Sequence, residues 1–160
     1  MGLCGICAKI CFKMKILMVC LGNICRSPMA HGVMQALVED KQLDWTVDSA
    51  GTGGWHVGQA PDSRTIAIAE RFGVDISEQR AQQLQPHHLD EFDHILAMDR
   101  SNLGFIQAMA QTPEQRARVQ LFLDDAEVPD PYYDDRLFEP VYRLVADRCK
   151  ALLKQWEHES

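Results

Sequence analysis

The alternation of short apolar runs with helical patterns is the feature of this sequence that most limits its fold. Four apolar runs predict strands, and they cover residues 15–20, 46–49, 92–98 and 119–123. Segments with the apolar spacing of helices separate these runs. Consecutive strands that are joined by helices form a parallel sheet with helices on both faces. The sequence therefore predicts an α/β fold with a covered parallel sheet.

Helices are predicted beside these strands. The first begins at Ser27 and Pro28, because a hydroxyl at the N-cap and a proline in the first turn are typical of a helix start. The next two cover residues 62–72 and 101–110, and the last runs from about residue 138 with its apolar side chains on one face. The chain of 160 residues is long enough to bury a full core without disulfide bonds.

Charge and hydropathy argue against two classes of partner. The formal net charge of -7 disfavours nucleic acid, since a phosphate backbone needs a basic surface. No apolar run approaches the roughly 20 residues of a membrane-spanning helix, so no membrane partner is expected. A negative chain that binds an anion has to attract it with a local site.

The first thirteen residues, MGLCGICAKICFK, are interpreted as a leader of unknown role, and residues 14–160 as a single domain. The leader is too short and too weakly apolar for a good signal peptide, and Ile6 breaks the myristoylation pattern. It is either an accessory segment or a misassigned start. It contains three of the six cysteines, Cys4, Cys7 and Cys11. One CxxC pair without a second half is a weak metal signal, and no disulfide framework emerges, so we expect no metal and a reducing cytoplasm.

The stretch VCLGNICRSP, residues 19–28, lies between the first strand and the first helix. Ligands of parallel sheets bind beyond the carboxyl ends of the strands, which is where this loop lies. Its successive backbone N–H groups can form an anion nest, with Gly22 allowing close approach and Asn23 tolerating a left-handed conformation. Arg26 offers a planar fork that matches two phosphate oxygens. Residues 20–26 are therefore predicted to be a phosphate loop.

Cys20 lies at the mouth of the phosphate loop. The positive potential of the nest favours its thiolate, and a thiolate beside a bound phosphate is a nucleophile for phosphoryl transfer. The alternative is a buried structural cysteine that merely ends a strand. The spacing Cys-x5-Arg-Ser between a strand and a helix favours the nucleophile.

These residues resemble the signature loop of the low-molecular-weight protein tyrosine phosphatases. The resemblance extends over nearly all of residues 14–157 and includes VDSAGTGGWHVG, FDHILAMDRSNL and DPYY at 130–133. Several phosphatase classes share Cys-x5-Arg alone, but the longer loop together with DPYY is specific. The resemblance implies a flavodoxin-like three-layer sandwich with a four-stranded parallel sheet and helices on both faces. It also implies that the protein needs neither a metal nor an organic cofactor.

The resemblance also implies roles for the residues of the phosphate loop and its surroundings. Cys20 would attack phosphorus and hold the phosphoryl group as a thiophosphate ester, while Arg26 would bind the equatorial oxygens. Ser27 would donate a hydrogen bond to the Cys20 sulfur, and Asn23 would brace the loop with support from Ser49. The remaining positions of the loop would bind the substrate phosphate, and these are Leu21, Gly22, Ile24 and Cys25.

Asp130 is the candidate general acid. A tyrosine phenolate, with a pKa of about 10, leaves poorly at neutral pH without a proton. Pro129 and Pro131 restrict the backbone on both sides of this aspartate, which separates it from neighbouring aspartates that are only solvated surface charge. Sequence physics alone leaves both interpretations of Asp130 open, and the resemblance favours the acid.

Three aromatic side chains are candidate walls for a flat substrate ring. Tyr132 and Tyr133 follow Asp130 directly, and Trp55 lies in the glycine-rich turn after the second strand. The alternative for Trp55 is a packed surface aromatic. The resemblance adds that the paired tyrosines are phosphorylation sites in some relatives.

Cys25 is left without a part in this chemistry. A reactive thiolate is easily oxidised to a sulfenic acid, and a second thiol in the loop could capture it as a reducible disulfide. The alternative is that Cys25 packs beneath the loop as a small apolar residue. The resemblance favours the protective role, because relatives pair these two positions under oxidation.

The chain departs from the family at one stretch. Members often read His-x-Ala-Arg-Gln where this chain has Gln79 and, three residues later, Gln82, so a network built on the family's two side chains is in doubt. The histidines show no pairing that suggests a metal and are interpreted as surface or loop residues, namely His31, His56, His87, His88 and His94.

Three other functions are weighed against a phosphatase. A thiol-dependent arsenate reductase needs further cysteines, and none lies between Cys25 and Cys149. A phosphocysteine carrier would not need Asp130, and a catalytically silent phosphate-binding module would tolerate loss of Cys20. The sequence thus predicts a phosphatase that acts on phosphotyrosine proteins, is inhibited by phosphate and other oxyanions, and is a monomer or weak dimer.

Overall fold

The computed structural model describes residues 13–159. Four strands form one sheet in the order β2-β1-β3-β4. They are β1 (Met14–Cys20), β2 (Trp45–Gly51), β3 (His94–Ala97) and β4 (Val119–Leu121). Each neighbouring pair is parallel, with Met18 of β1 opposite Ser49 of β2 and Leu96 of β3. This confirms the flavodoxin-like four-stranded parallel sheet.

Helices cover both faces of this sheet. They are α1 (Arg26–Asp40), α2 (Ser63–Arg71), α3 (His88–Glu91), α4 (Arg100–Met109), α5 (Pro113–Ala117) and α6 (Phe138–Glu159). A short 3-10 helix, Asp135–Leu137, precedes α6. Side chains of a strand alternate between faces, so β1 divides the core into two. Ile16 and Met18 pack with α1 and α6, whereas Leu17 and Val19 pack towards α3 and α4.

The parallel arrangement brings the chemistry to one edge of the sheet. The carboxyl ends of β1, β2, β3 and β4 all lie at this edge. The phosphate loop follows β1, Asp99 follows β3 by two residues, and the segment that carries Asp130 follows β4.

Each predicted strand is present, and its ends differ from the prediction by one or two residues. Helices α3 and α5 were not predicted, because four and five residues are too few to show a helical period. The prediction of Ser27 as an N-cap is wrong. Helix α1 begins at Arg26 with Cys25 at the N-cap position and no side-chain cap. The Ser27 hydroxyl instead contacts Asn23 and Cys20.

The interpretation of every histidine as a surface or loop residue is also wrong. His88 is buried, with 4% of its surface exposed. His31 lies on α1 beside Ser49, and His94 lies in β3 with its ring stacked on Trp156 at 4.3 Å between centroids. Within residues 13–159, no helix combines the length and the apolar character that crossing a membrane requires. The leader, including Cys4, Cys7 and Cys11, lies outside the described residues apart from Lys13.

Candidate active site

The phosphate loop is held in place by its own backbone and by the turn after β2. Asn23 has a positive φ of 57°, the left-handed conformation that its side chain tolerates. The carbonyls of Cys20 and Leu21 accept hydrogen bonds from the N–H groups of Thr52 and Gly53, each at 2.9 Å. A Cβ atom at Gly51 would lie 2.8 Å from the Leu21 carbonyl oxygen, so this close approach requires glycine.

Cys20 ends β1 with its sulfur inside a buried polar network. Its side chain is 3% exposed, and Sγ lies 3.0 Å from Ser27 Oγ. The Asn23 backbone N–H also donates to this sulfur, at 3.3 Å. The Asn23 amide donates to Ser27 Oγ at 2.8 Å and to Ser49 Oγ at 2.9 Å. Since Ser27 already accepts from Asn23, its own proton is free to be donated to a Cys20 thiolate.

His31 lies at the other end of this network. Its Nδ1 is 3.2 Å from Ser49 Oγ. Burial lowers the pKa of His31, although the negative charge of Asp48 acts against that shift. The ring is therefore neutral near pH 7. Because Ser49 Oγ accepts a hydrogen bond from Asn23, the Ser49 hydroxyl can donate its own proton to His31 Nδ1. In this series of hydrogen bonds from His31 to Cys20, the hydroxyls of Ser49 and Ser27 each accept one hydrogen bond and donate another.

Arg26 begins α1 and points across the carboxyl end of β3. It is 4% exposed, and Nη1 donates to Asp99 Oδ2 at 2.8 Å and to the Val128 carbonyl at 3.1 Å. Burial opposes the charge, but Cys20 together with the Asp99 hydrogen bond and nearby carboxylates raises the pKa of Arg26 overall. The guanidinium stays charged, and its orientation is fixed by two other segments of the chain.

Asp130 lies opposite Arg26 on residues 128–135, the acid loop. The Tyr132 N–H donates to Asp130 Oδ1 at 3.0 Å. The other oxygen, Oδ2, lies 3.8 Å from Arg26 Nη2. The two carboxylate oxygens are therefore distinct, because one is held by the loop and the other faces the phosphate site.

A cavity of about 300 Å³ opens above the phosphate loop. Its lining consists of Cys20, Leu21, Gly22, Ile24, Cys25, Arg26, Trp55, His56, Asp130, Tyr132 and Tyr133. The structure thus places ten of the loop, acid and aromatic predictions in one lining, while Asn23, Ser27 and Ser49 form the network of the Cys20 sulfur. Trp55 is 70% and Tyr133 is 90% exposed, so both rings stand at the rim.

Two residues of this site were missed by the sequence analysis. Asp99 orients Arg26 and also accepts the Asn102 N–H as the N-cap of α4. A carboxylate just beyond a predicted strand, in FDHILAMD, was the available signal. His56 lines the cavity, and its Nδ1–H donates to Gln59 Oε1 at 2.9 Å. Its position next to Trp55 was the only hint.

The other two described cysteines are both buried and free. Burial raises the pKa of Cys25 to about 12, so its thiol is protonated. Cys149 lies in the core between α1 and α6, with its sulfur 3.6 Å from the Ala30 carbonyl. Burial raises the pKa of Cys149 as well.

The two glutamines at the position of the family departure are part of the site's support. Gln82 donates its backbone N–H to Asn23 Oδ1 at 3.0 Å, and its amide donates to Asp48 Oδ2 and to the Ser49 carbonyl. Gln79 donates to the Pro28 carbonyl at 3.2 Å, and its own Oε1 is buried without a hydrogen-bond partner. A network therefore exists here, and it is built on amides.

His87, His88 and Glu91 form a group with possible ligand atoms within 4.8 Å of one another, which the sequence analysis did not anticipate. The group suits a metal poorly. His88 Nδ1 accepts the Gln85 N–H at 2.8 Å, so the neutral ring carries its proton on the nitrogen that would have to bind the ion.

The fold and the site together define a class of protein. A cysteine and an arginine share the loop at the carboxyl end of β1, and an aspartate faces them. This arrangement is that of phosphatases with a cysteine nucleophile.

Comparison with known proteins identifies the family. The family model described as low molecular weight phosphotyrosine protein phosphatase matches residues 15–160. The chain belongs to this family.

Similar proteins come from bacteria and animals. The low molecular weight protein-tyrosine-phosphatase YfkJ of Bacillus subtilis is 40% identical over 151 residues, which cover 90% of this chain and 96% of that protein. The human low molecular weight phosphotyrosine protein phosphatase is 38% identical over 149 residues, 88% of this chain and 94% of that one.

Solved structures agree with this assignment. The crystal structure of YfkJ from Bacillus subtilis matches with a TM-score of 0.86 and 38% identity, over 92% of this chain and 97% of that one. Vibrio vulnificus Wzb in complex with benzylphosphonate matches with a TM-score of 0.80 and 32% identity, over 89% and 98% of the two chains.

Proposed function

We propose that this protein hydrolyses phosphotyrosine in proteins through a phosphocysteine intermediate on Cys20. The observation that carries the proposal is that Cys20, Arg26 and Asp130 line one cavity, with Asp130 Oδ2 3.8 Å from Arg26 Nη2. A nucleophile, an anion-binding fork and a proton donor are the three groups that this hydrolysis requires.

The first step transfers the phosphoryl group to sulfur. The Cys20 thiolate attacks phosphorus while the bond between phosphorus and the tyrosine oxygen breaks. Arg26 and the N–H groups of the phosphate loop bind the three equatorial oxygens, where charge develops in the transition state. Asp130, protonated at Oδ2, gives its proton to the departing phenolate oxygen.

The second step releases phosphate. A water attacks phosphorus on the side that the tyrosine has left, and Asp130 takes a proton from that water. The bond between sulfur and phosphorus breaks, and the electron pair returns to Cys20. Ser27 donates a hydrogen bond to the sulfur at this stage, which stabilises the leaving thiolate.

The rim of the cavity favours an aromatic substrate. Trp55 stands on one side, and Tyr132 and Tyr133 stand on the other, so a phenyl ring can lie between them. The Vibrio vulnificus relative was solved with benzylphosphonate, a flat ring that carries a phosphorus oxyanion. An Entamoeba histolytica relative, 32% identical, was solved with Hepes in its active site. Both support inhibition of this chain by phosphate and other oxyanions.

The rival functions are less well supported. An arsenate reductase relays a disulfide through accessible thiols, and Cys149 is enclosed in the core with a raised pKa. A phosphocysteine carrier has no need of Asp130 at the mouth of the site. We also propose that residues 14–160 form a single domain. It acts as a monomer or weak dimer in a reducing cytoplasm, and the net charge of -7 disfavours nucleic acid as a partner.

Protection of the nucleophile is a further part of the proposal. Peroxide oxidises the Cys20 thiolate to a sulfenic acid, and the Cys25 sulfur then displaces water to form a disulfide that a dithiol reduces again. Because the pKa of Cys25 is raised to about 12, capture begins with loss of the thiol proton. Cys25→Ser should remain active when reduced and recover poorly with dithiothreitol after peroxide. Recovery equal to that of the wild type would assign Cys25 to packing.

Hydrolysis of p-nitrophenyl phosphate and of a phosphotyrosine peptide by the wild type and Cys20→Ser tests the function. We expect Cys20→Ser to lose turnover and still bind inorganic phosphate, since Arg26 and the loop backbone remain. Cys149→Ser is the matched control, because its sulfur lies in the core, and it should keep wild-type turnover. Activity in Cys20→Ser above a small fraction of the wild type would refute the assignment.

A further inference from the structure

Arg64, near the start of α2, lies between the two halves of the active site without lining the cavity. Its Nε and Nη2 donate to the two carboxylate oxygens of Asp62 at 3.0 and 2.9 Å. Its Nη1 donates to Asp135 Oδ1 at 2.6 Å. The guanidinium carbon also lies 5.3 Å from the ring centre of Tyr132 and 4.6 Å from that of Phe138. The edges of the guanidinium therefore donate hydrogen bonds to carboxylates, while its face contacts aromatic rings.

The Asp62 side of this cluster is fixed to the phosphate loop. Asp62 is the N-cap of α2 and accepts the Arg64 N–H at 2.9 Å. Its own N–H donates to the Ile24 carbonyl at 2.9 Å. Ile24 lies in the phosphate loop between Asn23 and Cys25. Because Asp62 is bonded to this loop, its carboxylate holds the Arg64 guanidinium at a set distance from the loop.

The other side of the cluster belongs to the acid loop. Tyr132 donates its N–H to Asp130 Oδ1, and Asp135 follows at the end of the same loop. The Asp135 side chain is 80% exposed, and an ion pair in that setting contributes little by itself. Contact of the same guanidinium with the Tyr132 and Phe138 rings adds cation–π attraction and shape.

We propose that Arg64 is a positioning residue for the proton transfer, because it fastens the acid loop to the phosphate loop and so sets where Asp130 stands. The inference rests on the proposed role of Asp130 as general acid. Arginine suits this task and lysine does not, since two parallel hydrogen bonds, a third partner and a stacked face need a planar fork.

Arg71 provides a matched control on the same helix. It pairs with Glu139 of α6 at 3.0 Å, and Glu139 lies outside the acid loop. Both arginines are surface residues of α2 with one or two carboxylate partners. Replacing either by glutamine removes one positive charge and one ion-pair network, and only Arg64→Gln loosens Asp130.

The experiment compares Arg64→Gln, Arg71→Gln and Asp130→Ala on a series of aryl phosphates with phenols of different acidity. Arg64→Gln should lose about tenfold in kcat on phenols as basic as tyrosine, a part of the 10²–10⁴ that general acids contribute. It should lose little on p-nitrophenyl phosphate, whose phenolate leaves with less help. Its KM and its inhibition by inorganic phosphate should not change, and Arg71→Gln should match the wild type throughout.

The role of Arg64 would be overturned if Arg64→Gln lost activity uniformly across the series, or lost none, while Asp130→Ala showed a dependence on the leaving group. If Asp130→Ala itself shows no dependence, the general acid is wrong and the inference falls with it. Should Arg64→Gln fail to fold, Asp135→Asn removes one arm and should show the same dependence, more weakly. In the double variant Arg64→Gln/Asp130→Ala, the loss should not exceed that of Asp130→Ala, because the two residues act on one proton.

Discussion

The two halves of the site differ in how they are held. Cys20, Asn23, Cys25 and Arg26 of the phosphate loop are buried, and hydrogen bonds tie the Cys20 and Asn23 side chains to β2 and to α1. Asp130 and most of the acid loop are exposed, although Val128 is buried and its carbonyl accepts a hydrogen bond from Arg26. Asp130 itself accepts one backbone N–H and lies near Arg26, while Tyr132 contacts Arg64. In the proposed mechanism, phosphate binding and nucleophilic attack therefore depend on the core of the fold, whereas proton transfer depends on a peripheral segment.

This difference has a chemical reason. Electrostatic stabilisation is strongest where water is excluded and dipoles are fixed, which favours a buried anion site. A proton donor has to meet the leaving group of a substrate that extends into solvent, and it has to let water in for the second step. A partly exposed loop suits that task.

Arg26→Lys tests the buried half and should have the largest effect. Lysine keeps the charge but cannot bind Asp99, the Val128 carbonyl and the substrate phosphate with one planar group. We expect kcat/KM to fall about 10³-fold, the order found for lost transition-state donors, and equally on all aryl phosphates. Steady-state kinetics over a leaving-group series measures this. A loss that depends on the phenol would mean that Arg26 acts mainly through Asp130.

Asp130→Ala tests the peripheral half. Removal of the general acid should lower kcat on phosphotyrosine about 10²-fold or more, and much less on substrates with acidic phenols. The exposed position of the acid loop predicts that the free energy of unfolding changes little. Kinetics over the leaving-group series and urea denaturation measure the two effects. Equal losses for every phenol, with lower stability, would assign Asp130 a structural role.

Asn23 should show an intermediate effect, and two variants separate its two contributions. Asn23→Gly retains the freedom for a φ of 57° and loses the bonds to Ser27 and Ser49, so kcat should fall about tenfold. Asn23→Ala adds strain of about 1 kcal/mol and should be less stable than the glycine variant. Urea denaturation with kinetics distinguishes them, and full activity in Asn23→Gly would show that the network is dispensable.

The smallest expected effect concerns the pH dependence of stability, and it comes from three histidines that are buried or partly buried. Burial lowers the pKa of His31, His88 and His94, so the folded state binds fewer protons than the unfolded state. Their contribution is complete above the unfolded pKa of about 6.5 and is lost as the pH falls through the folded values. His94→Phe keeps a ring against Trp156 and should flatten the decline between pH 7.5 and 5.5 by less than about 1 kcal/mol. The exposed His158→Gln is the control, and an unchanged slope in His94→Phe would remove His94 from this account.

Sequence reasoning found the fold and the lining of the site because both depend on local patterns. Strands alternate with helices, and the loop after β1 carries Cys20, Gly22 and Arg26 within seven residues. What it missed depends on contacts between distant segments. Asp99, 73 residues from Arg26, orients the guanidinium, and His31 reaches Ser49 across α1 and β2. No single stretch of sequence shows such pairs.

The N-cap error at Ser27 has the same origin. Serine before proline is a helix-start pattern, but the hydroxyl contacts Asn23 and the Cys20 sulfur instead, and the helix begins two residues earlier without a side-chain cap. Ser27 departs from the usual N-cap pattern because its hydroxyl belongs to the hydrogen-bond network of the site.

Trapping the phosphoenzyme tests the central claim most directly. Asp130→Ala should accumulate the intermediate with a substrate whose phenol leaves without a proton, because the water of the second step then lacks its base. Rapid quenching with ³²P-labelled p-nitrophenyl phosphate, followed by peptide mapping, should place the label on the peptide that contains Cys20 and Cys25. The label should persist in Asp130→Ala/Cys25→Ser and disappear in Asp130→Ala/Cys20→Ser. Label on another residue, or label that survives the loss of Cys20, would contradict a phosphocysteine mechanism.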